Sequence, residues 1–310
     1  MPGCYTKAKN GERLILADKK ENIDADDQDE GLESEVVSDL APDEDDFFGR
    51  MKSRVNRQGW FADLKICLGV LTRLPVYIGA SPEDFSIAEA SRFFPVVGAL
   101  IGLIAGLVLW IGSWFEFPSM VLALFALLAM TLVTGALHED GLADTFDGLG
   151  GGTTREQKLS IMRDSQIGSY GIMALLFGFG LRWAALSEIT EIGIDAAIYA
   201  LIAAAAASRA ALPGIMHYIP VAQEDGLSAG AGKPSFDRAI VATLIGVAFL
   251  LFLLGFQASI VALGLAVLVT GLFVYFVATR IGGQTGDVLG ATQQIAETTI
   301  LLVIVMVGLE

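Results

Sequence analysis

Cysteine and charged residues are scarce in this 310-residue chain, and each shortage excludes a class of protein. Only two cysteines are present, Cys4 and Cys67, so no disulfide framework is expected, and two thiols fit a reducing, cytosol-facing environment. Charged residues make up 18% of the chain, against about 25% in an average soluble domain. Hydrophobic residues reach 54% and come in long blocks, which disfavours a soluble globular enzyme.

Basic residues are also few, and the acidic excess is uneven. The first 50 residues hold 15 of the 35 acidic residues and only six Lys or Arg. The stretch from Glu21 to Asp46 has little apolar content and no periodicity, so it cannot bury enough surface to offset the entropy of ordering. We predict a disordered acidic tail over residues 1–50, no secretory signal peptide, no nucleic-acid binding, and an integral membrane domain over residues 51–310.

Apolar runs of membrane-spanning length begin at Phe93 and continue to the C-terminus. A span needs about 20 mostly apolar residues. The candidates are Phe94–Phe115, Phe117–Leu137, Tyr170–Leu186, Ala196–Ile219, Ala239–Phe256, Ala258–Thr279 and a seventh that ends at Leu309. Their many Gly and Ala residues favour close helix packing. The predicted fold is therefore an all-α, polytopic membrane helix bundle of about seven spans, plus a cytoplasmic interfacial helix in residues 60–78.

The basic residues of the loops all fall on alternate connections, which predicts one orientation in the membrane. Cytoplasmic loops carry the excess of Lys and Arg, so this side and the N-terminus are expected to face the cytoplasm, in an inner-membrane protein. Two arginines interrupt the spans. Arg209 is near the middle of its span and is expected to face a polar cavity, whereas Arg182 is nearer the outer end and is expected to snorkel to the interface.

The main polar cluster follows the second span. Asp140, Asp144 and Asp147 have the i, i+4, i+7 spacing that places three carboxylates on one helix face. Such a cluster repels itself unless a cation lies within it, and hard oxygen ligands suit Mg²⁺, which also takes waters and substrate phosphates. His138 falls on the opposite side of this helix, where it either bonds to the fold or takes part in catalysis.

Two further segments place polar residues at the same end of the bundle. Three glycines at 150–152 precede Arg155, and Arg163-Asp164 follows, a pattern that favours a phosphate-binding loop. Asp287 begins the last span, and Gln294 is spaced to share its helix face. Together with the carboxylate cluster, these segments predict a site for a metal ion and phosphate groups on the cytoplasmic side.

Five segments, in this order and spacing, resemble the cobalamin synthase (adenosylcobinamide-GDP ribazoletransferase) family. They are Thr72-Arg73-Leu74-Pro75, Arg92 to Gly98, His138 to Gly148, Arg163-Asp164-Ser165 and Gly286 to Ala291. The resemblance covers about residues 60–310 and leaves the acidic tail without a counterpart. It implies a membrane enzyme whose substrates are α-ribazole, free or as its 5′-phosphate, and adenosylcobinamide-GDP. The ribazole would attack the pyrophosphate, with GMP as leaving group and Mg²⁺ as cofactor.

On this resemblance each candidate residue has an expected role. Mg²⁺ would be held by Asp140, Asp144 and Asp147. The catalytic candidates are Arg163, His138, and Asp164 or Asp287, either of which would take the ribazole proton. Substrate and phosphate groups would be bound by Arg73, Arg155, Arg209 and Gln294.

Two other functions use similar residues. A CDP-alcohol phosphotransferase also places aspartates at a helix end, but its motif has arginine where Asp144 follows Ala143 here. A cation-coupled transporter would place carboxylates near the bilayer midplane rather than at the helix ends. The sequence leaves the oligomeric state undetermined, so a homo-oligomer stays open.

Overall fold

The computed structural model of the chain describes residues 59–77, 86–224 and 226–308, and its regular elements there are helices. The predicted acidic tail, residues 1–50, lies outside the described residues. In chain order the helices are α1 Trp60–Leu71, α2 Ile87–Ala90, α3 Phe94–Ser113, α4 Ser119–Thr134, α5 Leu137–Gly151, α6 Arg155–Met162, α7 Ser169–Ile192, α8 Ile194–Ala210, α9 Leu212–Tyr218, α10 Leu227–Ala231, α11 Phe236–Leu254, α12 Phe256–Ile281 and α13 Gly286–Val307. A 3₁₀ turn, Ser91–Phe93, joins α2 to α3.

Within the described ranges, six helical segments are long and apolar enough to cross a membrane. They are Ile87–Ser113, α7, Ile194–Tyr218, α11, α12 and α13. Helix α4 has only 16 residues and passes the same test only together with α5, from which it is bent by 87°. The count is therefore six, or seven if the bent pair forms one span, and the predicted polytopic helix bundle is confirmed.

The bend between α4 and α5 separates the apolar span from the carboxylate helix. Gly135 and Ala136 both have positive φ, of 65° and 60°, and a left-handed pair of this kind ends a helix. A side chain on Gly135 would collide with the side chain of Arg73. Helix α5 has four acidic residues and runs across the direction of α4, so we place it outside the membrane spans.

Small residues bring α3 and α8 into close contact in the core of the bundle. A Cβ atom on Gly102 would lie 2.5 Å from the backbone oxygen of Leu201, and one on Gly98 would collide with the backbone at Ala205. Residues 203–206 of α8 are four consecutive buried alanines. Because packing rather than water exclusion drives helix association in lipid, these contacts hold the two spans together.

Glycines also position the polar end of the molecule. A Cβ atom on Gly141 of α5 would lie 2.8 Å from the backbone oxygen of Asp287, and one on Gly290 of α13 would lie 3.3 Å from the Cα atom of His138. Helices α5 and α13 therefore approach to backbone contact where their aspartates lie. Nearby, Val221 and Gln284 form a single parallel β-bridge that ties two loops together.

Helix α1 corresponds to the predicted interfacial helix, although it is shorter than the 60–78 segment. It ends at Leu71, ahead of Pro75, and its Asp63 forms a 2.5 Å ion pair with Arg92 at the start of the first span. This pair fixes the amphipathic segment against the bundle.

Candidate active site

Two neighbouring cavities lie beside α10 and the start of α13. The apolar cavity has a volume of about 110 Å³. The residues that line it include Leu71, Phe94, His138, Asp140, Met216 and Asp287. The polar cavity has a volume of about 200 Å³ and is lined by residues that include Arg163, Gln223, Gln284 and Thr285. The two cavities share four residues, Leu227, Ser228, Gly286 and Asp287. They therefore meet at the N-terminus of α13.

Negative charge is concentrated at this junction. Asp140 is exposed and Asp144 half-buried, and neither carboxylate forms a hydrogen bond or ion pair with another described residue. Burial and the surrounding negative charge raise the pKa of Asp144 to about 7. The contributing carboxylates are, in order of effect, those of Asp140, Asp287 and Asp147. The sequence prediction that α5 and the start of α13 contribute to one acidic site is consistent with this geometry.

The oxygen ligands of Asp140 and Asp144 suit Mg²⁺, but the predicted group of three metal-binding carboxylates is not found among the described residues. Asp140 and Asp144 offer hard oxygen ligands that no basic side chain of the described residues neutralises. Those residues contain no group of three Asp, Glu, His or Cys side chains that would hold a metal ion by itself. Mg²⁺ needs only one or two carboxylates when substrate phosphates and water complete its shell. The residues present therefore suit a metal ion that binds together with a phosphorylated substrate.

Asp147 makes contacts that the sequence did not reveal. It is buried, and its two carboxylate oxygens accept hydrogen bonds from the backbone N–H groups of Gly168, at 2.7 Å, and Gly171, at 2.8 Å. A side chain on either glycine would collide with this carboxylate. Asp147 thus caps the N-terminus of α7, where a negative charge is favourable. Whether it also binds a metal ion stays a prediction.

His138 is buried, with 2% of its surface exposed, and lines the apolar cavity with Asp140. Neither of its ring nitrogens has a hydrogen-bond partner among the described residues. Of the two roles that the sequence left open, a hydrogen bond to the fold is therefore not the one seen. The imidazole is available to a ligand in the cavity.

Of the predicted phosphate-binding arginines, Arg163 is the one that lines the polar cavity. It donates a hydrogen bond to Gln223. Arg155 donates to the backbone oxygens of Ile281, at 2.8 Å, and Ala222, at 2.6 Å, so it clamps α6 to the end of α12. Arg73 is exposed and covers the bend at Gly135.

Asp164, a predicted catalytic carboxylate, lies apart from the other candidates. It is exposed and accepts a hydrogen bond from the backbone N–H of Gln166 at 3.0 Å, as in a local turn. It is not among the residues that line the two cavities. Between the two proton acceptors proposed from the sequence, the geometry favours Asp287.

Arg209 and Gln294 belong to a buried network deeper in the bundle. Arg209 is 2% exposed and lies 3.4 Å from Glu297, and Arg182 lies 3.2 Å from the same carboxylate. Arg182 also lies 3.4 Å from Glu139, to which Gln294 donates a hydrogen bond at 3.3 Å. The expectation that Arg182 snorkels to the interface is wrong, because this side chain is buried and paired. Neither Arg209 nor Gln294 lines the two cavities.

The sequence did not identify several residues of the site. Ser228 donates a hydrogen bond to Gln284 at 2.7 Å, and both line the polar cavity. Ser228 lies in the short helix α10 and Gln284 in the loop before α13, and neither belongs to the five segments that carry the family resemblance. Glu139 and Glu297 were not predicted to neutralise the two arginines, although a glutamate and two arginines within the spans are a signal for pairing.

These features define a class: a polytopic helical membrane protein with two adjoining cavities and a group of carboxylates at one end of its helix bundle. The comparisons with known proteins narrow this class. Residues 63–305 match the cobalamin-5-phosphate synthase family. The chain belongs to that family.

Named relatives are similar over most of their length. An adenosylcobinamide-GDP ribazoletransferase of Bradyrhizobium diazoefficiens is 47% identical over 242 residues, which cover 78% of this chain and 92% of the relative. The proteins of that name from Mesorhizobium japonicum and Azorhizobium caulinodans are 45% and 43% identical, over 78% of this chain and 92% and 94% of theirs. No solved structure matches the chain.

Proposed function

We propose that this chain is an adenosylcobinamide-GDP ribazoletransferase, which joins α-ribazole or its 5′-phosphate to adenosylcobinamide-GDP and releases GMP. The observation that carries the proposal is the junction of the two cavities. There, partnerless carboxylates lie beside a cavity lined by Arg163, within a chain that matches the family from residue 63 to 305. Phosphoryl transfer relies on positioning and charge neutralisation, and these residue types supply both.

The residues divide the work as follows. Asp140 and Asp144 would hold Mg²⁺, which when bound neutralises charge on the pyrophosphate. Arg163 binds phosphate oxygens from the polar cavity, and the N-terminus of α13, a 22-residue helix, presents backbone N–H groups beside it. Asp287, which lies on both cavities, accepts the proton of the attacking hydroxyl.

In the proposed transfer each bond that forms is matched by one that breaks, and the proton has an acceptor. A hydroxyl oxygen of the ribazole forms a bond to the phosphorus that carries the corrinoid. The bond from that phosphorus to the GMP oxygen breaks, and GMP leaves with its phosphate. The hydroxyl proton passes to Asp287. The buried ion pairs stabilise the helix bundle and do not contact the reacting atoms; their side chains are Arg182, Arg209, Glu139 and Glu297.

We place the site at the cytoplasmic face of the inner membrane. Support comes from the sequence, because the loops at this end of the bundle hold its loop arginines and lysines. A cysteine introduced between residues 188 and 195 should be labelled from outside intact cells, and one introduced between residues 150 and 154 should not. The reverse labelling pattern would contradict the orientation.

The activity is tested with purified protein in lipid nanodiscs. Adenosylcobinamide-GDP and α-ribazole together, with Mg²⁺, should give GMP and a corrinoid that carries the ribazole. Each substrate alone should give neither product. A CDP-linked lipid and a free alcohol should yield no CMP. If adenosylcobinamide-GDP and α-ribazole gave no GMP while the CDP-linked lipid and alcohol gave CMP, the CDP-alcohol phosphotransferase would be favoured instead.

A further inference from the structure

The apolar cavity has the size and lining of a site for an aromatic ring. Its volume is about 110 Å³, and its walls include Leu71, Phe94, Met216 and Leu289. Apolar cavities of about 150 Å³ bind a single benzene ring and otherwise stay dry. This cavity is somewhat smaller, so one ring of a planar, mostly apolar group would fill it.

One buried polar side chain in the described lining of this cavity has no hydrogen-bond partner. His138 is 98% buried, and both its ring nitrogens lack a hydrogen-bond partner among the described residues. A neutral imidazole has one donor and one acceptor, and leaving a buried polar group unsatisfied costs about 1–3 kcal/mol. A ligand with one complementary polar atom would remove this cost, whereas a fully apolar ligand would not.

The two substrates of the proposed reaction each carry an aromatic base, and the bases differ in polarity. Guanine presents several donors and acceptors along its edges. The benzimidazole of a ribazole has two ring nitrogens. One bonds the ribose, the other is a free acceptor, and the rest of the base is carbon and hydrogen. The proposed function assigns Asp140 to the metal ion and Asp287 to the attacking hydroxyl, and Ser228 bonds to Gln284, so His138 is the one polar side chain of the described lining left for a base. These walls would leave most polar atoms of guanine unsatisfied. They would satisfy the one polar atom of a benzimidazole.

We propose that the apolar cavity binds the benzimidazole base of the ribazole, with His138 donating a hydrogen bond to its free ring nitrogen. The guanine and phosphate groups then occupy the side of the polar cavity. Because Asp287 lines both cavities, a sugar attached to the bound base would lie between them, with its hydroxyl beside this carboxylate. This assignment rests on the proposed ribazoletransferase function.

Two alanines of the same short helix, α10, provide a matched test. Ala231 lines the apolar cavity and Ala229 lines the polar one. Binding of α-ribazole is measured by titration calorimetry on the full chain in nanodiscs, without Mg²⁺ and without adenosylcobinamide-GDP. We expect Ala231→Leu, which fills the cavity, to weaken the affinity at least about tenfold. Ala229→Leu should change it by no more than about twofold.

A second variant covers the case in which Ala231→Leu does not fold. His138→Phe keeps a ring of similar size and removes the donor, and we expect an affinity loss of about tenfold. Guanosine should not displace α-ribazole from the unmodified protein. Unchanged affinity in His138→Phe, equal effects of the two alanine variants, or displacement by guanosine would each overturn the assignment.

The outcome is distinguishable from failure of the proposed function. GMP release by the unmodified protein tests the function, whereas α-ribazole affinity tests the cavity. If GMP is released but Ala231→Leu and His138→Phe bind α-ribazole normally, the function stands and the base lies elsewhere. If no GMP is released from the two substrates, the function itself fails, and so does the assignment that rests on it.

Discussion

Two groups of charged residues lie close together in this molecule and are built in opposite ways. In the buried network, two arginines and two glutamates neutralise each other, and the side chains of Arg182, Arg209 and Glu297 are at most 3% exposed. Near the cavity junction, the carboxylates of Asp140 and Asp144 have neither a basic partner nor a hydrogen bond among the described residues. Adjacent residues, Glu139 and Asp140, belong to the two different groups.

We interpret the paired charges of the buried network as stabilising the fold and the unpaired carboxylates near the cavity junction as binding a ligand. An unpaired buried charge costs several kcal/mol, so charges inside a membrane bundle are retained where partners surround them. Repelling carboxylates without partners cannot help the fold. Their presence near Asp287, which lines both cavities, is accounted for by the cation and phosphates of the proposed reaction.

The largest effect on stability is expected from the buried network. Glu297→Ala leaves Arg182 and Arg209 without their shared partner, which should lower the free energy of unfolding by about 3–5 kcal/mol. The melting temperature in detergent measures this. Glu89→Gln is the matched control, because it breaks an ion pair with Arg238 that is 2.9 Å long but partly exposed, worth about 0–1 kcal/mol. Similar losses in the two variants would contradict the distinction.

A smaller loss is expected for Asp147→Ala. It removes two hydrogen bonds to the N-terminus of α7, and loss of such a cap costs about 1–2 kcal/mol. Asp147→Asn should recover part of the stability, because its side-chain oxygen still accepts one of the two N–H groups. A melting temperature unchanged in both variants would mean that the cap does not stabilise α7.

Asp144→Asn, unlike the two preceding variants, is expected to raise the stability of the protein near pH 7. The folded protein holds a proton on Asp144 up to about pH 7, whereas the ordinary carboxyl value is 3.8. Between these values the folded state binds more protons than the unfolded state, so stability falls as pH rises. In EDTA-containing buffer, Asp144→Asn should therefore match the parent at low pH and melt higher near pH 7. A variant that melts lower at pH 7 would show that the carboxylate supports the fold.

The smallest effect is expected from the tail. Deletion of residues 1–48 removes no residue of the network or the junction, and repulsion of an anionic substrate is screened beyond about 8 Å in physiological salt. Turnover should stay within about threefold of the full chain, or about 0.6 kcal/mol in barrier. A deletion variant that is stably inserted but inactive would place the tail in the site.

The sequence predicted those features that depend on local patterns. Runs of apolar residues identified the spans, and the i, i+4, i+7 spacing placed the aspartates on one helix, since these signals need no knowledge of packing. It overestimated the second span, because the Gly135-Ala136 bend interrupts an otherwise continuous apolar run. The direction change depends on backbone conformation that composition does not encode.

Contacts between distant residues were not predictable in this way. Arg182 and Glu297 are 115 residues apart, and only the packing of α7 against α13 makes them partners. Asp147 likewise accepts a hydrogen bond from Gly168, 21 residues away at the start of α7. Its spacing alone had predicted the same metal-binding role as for Asp140 and Asp144. His138 and Asp140 were placed on opposite sides of a helix, yet both line the apolar cavity.

The central claim is that the partnerless carboxylates at the junction hold the metal ion on which transfer depends. GMP release from adenosylcobinamide-GDP and α-ribazole tests it most directly, measured with Mg²⁺, after EDTA, and after Mg²⁺ is restored. The double variant Asp140→Asn/Asp144→Asn is compared with Asp237→Asn, an exposed aspartate in the first turn of α11. We predict that restored Mg²⁺ rescues the parent and the control, while the double variant stays at least about 100-fold slower. Metal-dependent turnover at the parental rate in the folded double variant would contradict the claim.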